Sequence, residues 1–286
     1  MAKGNLPKLV IFGDPTKGEV SDVIRDFTMF IKGKAEVTVS CGIEECTTDM
    51  LRESDYAVVF GGDGSIISAA RQLSQCNVPV IGVNLGKLGF LAEFSLEELK
   101  GYFDEIMSGK AKIERRMMLG CRVLRDGEEK FHSAAVNDVF IMSGPPFGMI
   151  ELKISVDGQP LAGCVSDGLI LCTPTGSTAY NLSAGGPIIS GRMEAIVITP
   201  ICPHSLSFRP IVIKADSKVE VFAVRVNQGT TVLVDGQFHQ RLLQDDVVRI
   251  EKQKSDFMIV NNPLRTKWDT LATKLRWAEK PKYMKD

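Results

Sequence analysis

Apolar residues follow one pattern in the first part of the chain and a different pattern after it. In residues 1–112, short β-branched runs alternate with stretches in which apolar residues recur at helical spacing. The runs predict strands at 8–13, 35–40, 56–60 and 78–84, with helices between them. Alternation of this kind is typical of a parallel sheet covered by helices on both faces. The sequence therefore predicts an α/β N-terminal domain with a parallel sheet over these residues.

From residue 113 onward, helical spacing largely disappears and strands follow one another across glycine-containing turns. Residues 150–156 alternate apolar and polar side chains and end at Asp157-Gly158, a pair typical of hairpin turns. Further strands are predicted at 121–124, 131–142, 168–173, 195–199, 211–213, 218–224, 231–234, 247–251 and 257–260. Together they predict an all-β, sandwich-like C-terminal domain over 113–262.

Two helices are predicted outside the first domain. One interrupts the strands at about 177–184. The other belongs to the last segment, 263–286, where apolar residues return to helical spacing. Because these apolar residues would share one face of the helix, we expect the segment to dock back on the body of the protein.

Composition narrows the possible classes of protein. The formal net charge is −1, which gives no reason to expect nucleic acid or anionic lipid as a partner. No apolar run reaches the roughly 18 residues of a membrane span, and the N-terminus lacks the form of a signal peptide. We therefore expect a cytoplasmic protein. The seven cysteines include no CxxC pair, so they are predicted to be small hydrophobic residues rather than metal ligands.

A glycine-rich turn carries the first chemical signal. Gly61-Gly62-Asp63-Gly64 follows the predicted strand 56–60 and precedes a predicted helix. Glycines let backbone N–H groups approach an anion, and the helix directs its positive dipole end to the same place. The turn is not a Walker A loop, because no Gly-Lys-Ser/Thr follows a glycine at the required spacing. It is not a dinucleotide fingerprint either, because Ile67 stands where the third glycine is required. Asp63 either caps the helix or handles a proton, a hydroxyl or a metal during phosphoryl transfer.

Further polar segments interrupt the apolar strands. Asn84–Leu91 reads NLGKLGFL, and Asn137-Asp138 lies inside an apolar run, where unpaired polar groups would be costly. The segment 166–187 contains TPTGSTAY, whose hydroxyls, glycines and tyrosine suit a nucleoside. Its simpler interpretation is a helix cap with a turn. Val234-Asp235-Gly236-Gln237 ends another strand.

Together these segments closely resemble the NAD kinase family from about residue 56 to about residue 240. The resemblance implies transfer of the γ-phosphoryl group of ATP, or of another donor, to the 2′-hydroxyl of the adenosine ribose of NAD. Asp63 then matches the general base, and Gly64 lines the same loop. The resemblance assigns the dinucleotide pocket to Asn137, Asp138, Asp167, Thr175, Thr178, Ala179, Tyr180, Asn181, Leu182, Ser183 and Gln237.

The resemblance also implies partners and cofactors. A divalent metal, Mg²⁺, is expected to be held mainly by nucleotide phosphates, and no protein metal site is predicted. A homodimer or homotetramer is expected, in which the β-domains contribute to one another's pockets. Two alternatives remain at this point: a lipid kinase of the diacylglycerol or sphingosine type, which shares GGDG, and a catalytically silent dinucleotide-binding regulator.

Overall fold

A computed structural model describes residues 6–14, 16, 18–42, 45–86 and 89–276. Lys87 and Leu88 of the NLGKLGFL segment and residues 277–286 of the predicted closing segment lie outside these ranges. The chain divides into two units. The first contains the residues up to Glu114 and those from Met258 onward, and the second is Arg115–Phe257. The chain therefore returns to the first unit before the predicted boundary at residue 262.

The first unit alternates strands and helices as the sequence predicts. Its elements up to the crossing into the second unit are β1 (Lys8–Phe12), α1 (Gly18–Phe30), β2 (Glu36–Cys41), α2 (Thr48–Leu51), β3 (Tyr56–Phe60), α3 (Asp63–Leu73), β4 (Val80–Val83), α4 (Leu96–Met107) and β5 (Ile113–Arg116).

The second unit consists mostly of strands. They are β6 (Leu119–Arg125), β7 (Glu128–Ala135), β8 (Asp138–Met142), β9 (Ile150–Val156), β10 (Gln159–Ser166), β11 (Gly168–Cys172), β12 (Ala195–Ile201), β13 (Ile211–Lys214), β14 (Val219–Arg225), β15 (Thr231–Val234), β16 (Phe238–Arg241) and β17 (Val247–Lys252). The predicted helix at 177–184 is a 3₁₀ turn, Gly176–Thr178, followed by the short α5 (Tyr180–Ser183). The chain then forms β18 (Phe257–Val260) and α6 (Lys267–Leu275). Among the helices in the described ranges, none is long and apolar enough to cross a membrane.

The sheet of the first unit has the strand order β2-β1-β3-β4-β18-β5, and its first five strands run parallel. Successive side chains of a strand point to opposite faces, and here each face has its own helices. Ile81 packs in the cluster that contains Phe27 of α1 and Phe103 of α4. On the opposite face Gly82 faces Ile66 of α3, whose Cδ1 lies 2.5 Å from where a β-carbon would stand. The predicted α/β domain with a parallel sheet is confirmed.

The second unit is a sandwich of two antiparallel sheets. Their strand orders are β10-β9-β14-β17-β6-β7 and β13-β12-β11-β8-β15-β16. Alternate apolar residues of both sheets share one buried core, for example Ile154 of β9 and Leu171 of β11. The predicted sandwich-like domain is therefore confirmed. Alternation determines this packing, because each sheet buries one face against the other.

The predicted strand 131–142 is in fact two strands that belong to different sheets. β7 ends at Ala135 in the first sheet, and β8 begins at Asp138 in the second. The prediction was wrong because apolar residues continue through the crossing, so the pattern hides the break. The break places Val136 and Asn137 at the edge of the core, outside both ladders.

Two cysteines also depart from the sequence prediction. Cys41, at the end of β2, forms a disulfide with Cys46, across a Cα–Cα distance of 6.6 Å. Cys121, Cys164 and Cys172 are free and buried, as small hydrophobic residues are. The prediction failed for Cys41 and Cys46 because their spacing of five positions in the sequence did not indicate that the two sulfur atoms lie close together.

A buried ion pair joins two strand ends of the sandwich. Both carboxylate oxygens of Asp246 accept from the guanidinium of Arg125, each at 2.8 Å, and Oδ2 also accepts from the N–H of Leu243. The Asp246 side chain is fully buried, whereas that of Arg125 is partly exposed. A buried carboxylate of this kind is stabilised only while its partners remain.

We expect Asp246→Asn to lower the free energy of unfolding of the second unit by about 2–3 kcal/mol. The amide carries no charge, and its NH₂ group would face N–H donors that now bind a carboxylate oxygen. Urea denaturation measures the difference. Asp245→Asn is the matched control, since Asp245 is the exposed neighbour and its positive φ of 68° suits asparagine. Equal midpoints for the two variants would contradict the assigned role of Asp246.

Candidate active site

The first unit contains a cavity of about 510 Å³ at the carboxyl ends of its parallel strands. The chain order β2-β1-β3-β4 reverses direction between β1 and β3, and ligands of open α/β sheets bind at such a switch point. The lining residues come from the end of β3, from the loops after β1, β3 and β4, and from the starts of α1 and α3. They are Asp14, Gly18, Glu19, Val20, Phe60, Gly61, Gly62, Ser65, Asn84, Leu85 and Gly86.

Asp63 is the first residue of α3 and ties the loop after β4 to it. Its Oδ1 accepts from the N–H groups of Leu91 (2.9 Å) and Ala92 (3.1 Å), and its Oδ2 accepts from the N–H of Phe90 (2.9 Å). A β-carbon at Gly89 would lie 2.0 Å from Oδ1, so only glycine allows the loop this close. The carboxylate is thus oriented by three backbone donors beside the glycine turn that lines the cavity.

The second unit has a separate cavity of about 480 Å³. Tyr180 stands against Phe140 in an edge-to-face contact, with the ring centroids 5.0 Å apart. Polar groups accompany this aromatic wall, a combination that suits a flat base and its sugar. The lining residues are Asn137, Asp138, Phe140, Met142, Ala179, Tyr180, Asp235 and Gly236.

Asp235 holds the crossing between the two sheets of the sandwich. Its carboxylate accepts from the N–H groups of Val136 (3.0 Å), Asn137 (2.8 Å) and Asp138 (3.1 Å). Sequence reasoning noted the strand end at Asp235-Gly236 but assigned no role to the aspartate. The only local signal is the turn, because the three donors lie far away in the sequence.

The carboxyl group of Asp138 is almost completely buried beside Asp235. Burial is the main cause, and the charge of Asp235 the second cause, of a pKa raised to about 7. Near neutral pH this carboxyl group therefore exchanges a proton, so it can donate as well as accept hydrogen bonds.

The TPTG turn packs directly on the Asn137 backbone. The N–H of Thr173 donates to the Asn137 carbonyl (2.8 Å), and its hydroxyl donates to that of Val136 (2.6 Å). A β-carbon at Gly176 would lie 2.1 Å from the Asn137 carbonyl oxygen. Two segments that the sequence singled out separately are thereby brought into one site.

The predicted dinucleotide residues occupy different places. Four of them line the cavity of the second unit: Asn137, Asp138, Ala179 and Tyr180. Gln237 directly follows Asp235 and Gly236, which line the same cavity. Thr175 directly precedes the 3₁₀ turn, Thr178 ends it, and Leu182 and Ser183 lie on α5, with Ser183 exposed.

Asn181 and Asp167 have positions that the sequence did not indicate. The Asn181 amide is fully buried, donates to the carbonyls of Ser177 and Pro187, and accepts from the Thr199 hydroxyl, so its visible role is structural. Asp167 directly precedes Gly168, the first residue of β11, which pairs with Met142. The last residue of β11, Cys172, pairs with Asp138. The length of β11 therefore separates Asp167 from Asp138 in this chain.

Comparison with known proteins agrees with both units. The ATP-NAD kinase N-terminal domain matches residues 19–111, and the ATP-NAD kinase C-terminal domain matches residues 136–262. NAD kinase of Rhodopirellula baltica is 38% identical over 275 residues, covering 96% of this chain and 88% of that protein. NAD kinase of Thiobacillus denitrificans is 39% identical over 268 residues, covering 90% and 92%.

Solved structures give the same result. The yeast NADH kinase in complex with NADH superposes with a TM-score of 0.86 at 26% identity, covering 99% of this chain and 91% of that one. An NAD kinase of Archaeoglobus fulgidus in complex with ATP has a TM-score of 0.77 at 25% identity, covering 95% and 99%. The order of the two matched domains, their extent and the identity to these relatives lead to one conclusion: this chain belongs to the NAD kinase family.

Proposed function

We propose that this chain transfers the γ-phosphoryl group of ATP to the 2′-hydroxyl of the adenosine ribose of NAD, forming NADP. The observation that carries this function is the Asp63 carboxylate, fixed by three backbone donors at the start of α3 beside the glycine-lined cavity. A lipid kinase and a silent regulator are not favoured, because the relatives compared are NAD kinases and the GGDG turn is intact.

The cavity of the first unit suits the phosphates of the donor. The glycine turn at Gly61 and Gly62 and the positive dipole end of α3 provide an environment that favours anions. Asp14 and Glu19 line the same cavity, and the described residues hold no group of three potential metal ligands. These residues fit a Mg²⁺ ion that is bound mainly through nucleotide phosphates, where it would neutralise charge on the transferring group.

Asp63 acts as the general base in this proposal. Oδ1 accepts two N–H donors, whereas Oδ2 accepts one and keeps capacity for the proton of a ribose hydroxyl. In a loose phosphoryl-transfer transition state there is little covalent chemistry for the protein to perform. A carboxylate that is already oriented can therefore accept the proton as the new bond forms, an effect worth about 10²–10⁴ in rate.

The cavity of the second unit suits the dinucleotide. The edge-to-face contact between Tyr180 and Phe140 keeps the tyrosine ring in place as a surface for a base. Asn137 and Asp138 supply hydrogen bonds, and Asp138 changes from donor to acceptor as the pH rises through about 7. Thr175, Thr178, Leu182, Ser183 and Gln237 complete the proposed pocket, and Asn181 contributes by holding the short helix in position.

We also propose a homodimer or homotetramer. Asp167 lies at the end of β11 away from Asp138, and the family resemblance implies that the β-domains contribute to one another's pockets. Large apolar side chains are exposed on the second unit, among them Leu206 and Phe147. The cytoplasmic location expected from the sequence stays a prediction.

We expect the wild-type protein to form NADP⁺ from NAD and ATP, and Asp63→Asn to lower turnover by about 10²–10⁴ because the base is lost. NAD affinity should change little, since the dinucleotide cavity belongs to the other unit. Turnover comes from an NADP⁺-formation assay and affinity from calorimetry. Wild-type turnover in the variant would overturn the assignment. Running the assay with NADH and with polyphosphate as well identifies the preferred acceptor and donor.

The raised pKa of Asp138 makes the stability of the protein pH-dependent. The ionised, buried form is the costly one, so the cost is absent below about pH 4 and complete only above about pH 7. Relative to the wild type, the free energy of unfolding of Asp138→Asn should be higher at pH 8 than at pH 5. We expect this change to be on the order of 2 kcal/mol. Thermal denaturation at both pH values measures this, with Asp126→Asn in an exposed turn as the control. A difference that is the same at both pH values would refute the assigned cause.

Light scattering tests the oligomeric state. We expect the mass of a dimer or tetramer at micromolar concentration. A monomer at that concentration would exclude pockets shared between copies.

A further inference from the structure

The C-terminal helix brings a cation to the proposed base. The Lys274 ammonium of α6 lies 3.7 Å from Oδ2 of Asp63. It also lies 4.8 Å from the ring centroid of Phe90, the residue whose N–H donates to that same oxygen. Both charged side chains are about one-third exposed, at 30% and 29%. The ammonium thus has an anion on one side and an aromatic face beside it.

The position of Lys274 is built into the fold. Thr266 and Asp269 form a capping box that begins α6, and Leu271 of the helix is buried. Just before the helix, Arg265 donates to Glu98 at 2.7 Å, and Asn262 bonds to Glu93 and Glu98. Both family matches end at or before residue 262, so α6 lies outside the matched domains.

A cation at this place would ease the approach of a nucleotide polyphosphate. Asp63 places a negative charge at the turn where the polyphosphate of a nucleotide must approach. Like charges at short range repel, and in a partly exposed site water does not fully screen the repulsion. The three N–H donors orient the carboxylate and share its charge, but they carry no net charge themselves.

We propose that Lys274 is a positioning residue for the phosphoryl donor, because its ammonium offsets the charge of Asp63 and lets a nucleoside triphosphate approach the carboxylate. The proposal rests on the function proposed above and adds the C-terminal helix to the donor half of the site. Lys274 acts through Asp63, so the affinity for the donor depends on the sum of the two charges.

Calorimetry with ATP and Mg²⁺, in the absence of NAD, tests the proposal. We expect Lys274→Met to weaken ATP binding about five-fold, the range of a partly exposed charge pair. Lys274→Arg should retain the affinity. Adenosine, which carries no phosphate, should bind both variants as it binds the wild type.

Lys34→Met is the matched control. Lys34 also pairs with a carboxylate, Asp104 at 3.1 Å, and lies over an aromatic ring, Phe30 at 4.5 Å, but it stands before β2, at the amino ends of the strands. Its loss should leave ATP affinity unchanged. An equal loss of ATP affinity in the control, or an equal loss of adenosine affinity in Lys274→Met, would mean general damage and overturn the proposal.

The double variant Asp63→Asn/Lys274→Met tests whether the lysine acts through Asp63. Removing both charges should return ATP affinity to about the wild-type value, and continued weak binding would overturn the proposal. The outcome is independent of the proposed function. If the wild type makes no NADP⁺ while the affinities follow this pattern, only the proposed function fails. If NADP⁺ forms but Lys274→Met binds ATP like the wild type, only the role of Lys274 fails.

Discussion

One interaction occurs in each unit and organises the site there: a carboxylate that accepts three successive backbone N–H groups. Asp63 binds the loop 90–92, and Asp235 binds the crossing 136–138. Hydrogen bonds to an ionised acceptor are stronger than neutral ones, and three of them fix a loop that has no regular structure. Each loop in turn meets a feature that the proposed chemistry uses, the glycine turn in one unit and the dinucleotide cavity in the other.

The two carboxylates have different charged neighbours. Asp63 has the Lys274 ammonium beside it, whereas Asp235 has the buried carboxyl group of Asp138. The Lys274 ammonium offsets the negative charge of Asp63, the proposed base. A second carboxyl group in a buried site makes one of the pair hold its proton to a higher pH. The same backbone device thus accompanies the proposed base in one unit and a buried carboxyl group with a raised pKa in the other.

Periodicity was enough to predict both architectures, because each depends on which face of a helix or strand is apolar. The turn at Asp63 was also visible, since a strand, a glycine turn and a helix are adjacent in the sequence. Contacts between distant segments were not visible. Asp235 reaches donors about a hundred positions earlier, Lys274 approaches Asp63 from the end of the chain, and the apolar pattern runs unbroken through the sheet crossing at Asn137. Asn181 lies in the predicted motif, but only its buried partners identify its structural role.

The glycines divide into two groups that the sequence could not separate. At Gly89 and Gly176 a β-carbon would stand about 2 Å from the Asp63 carboxylate and from the Asn137 carbonyl, so packing within the protein requires glycine. At Gly62 and Gly86, which line the cavity of the first unit, a β-carbon would meet none of the described residues within 4 Å. Neither has a positive φ that would demand glycine. Close approach of a ligand is a physical reason for glycine that agrees with the phosphate-binding cavity proposed above.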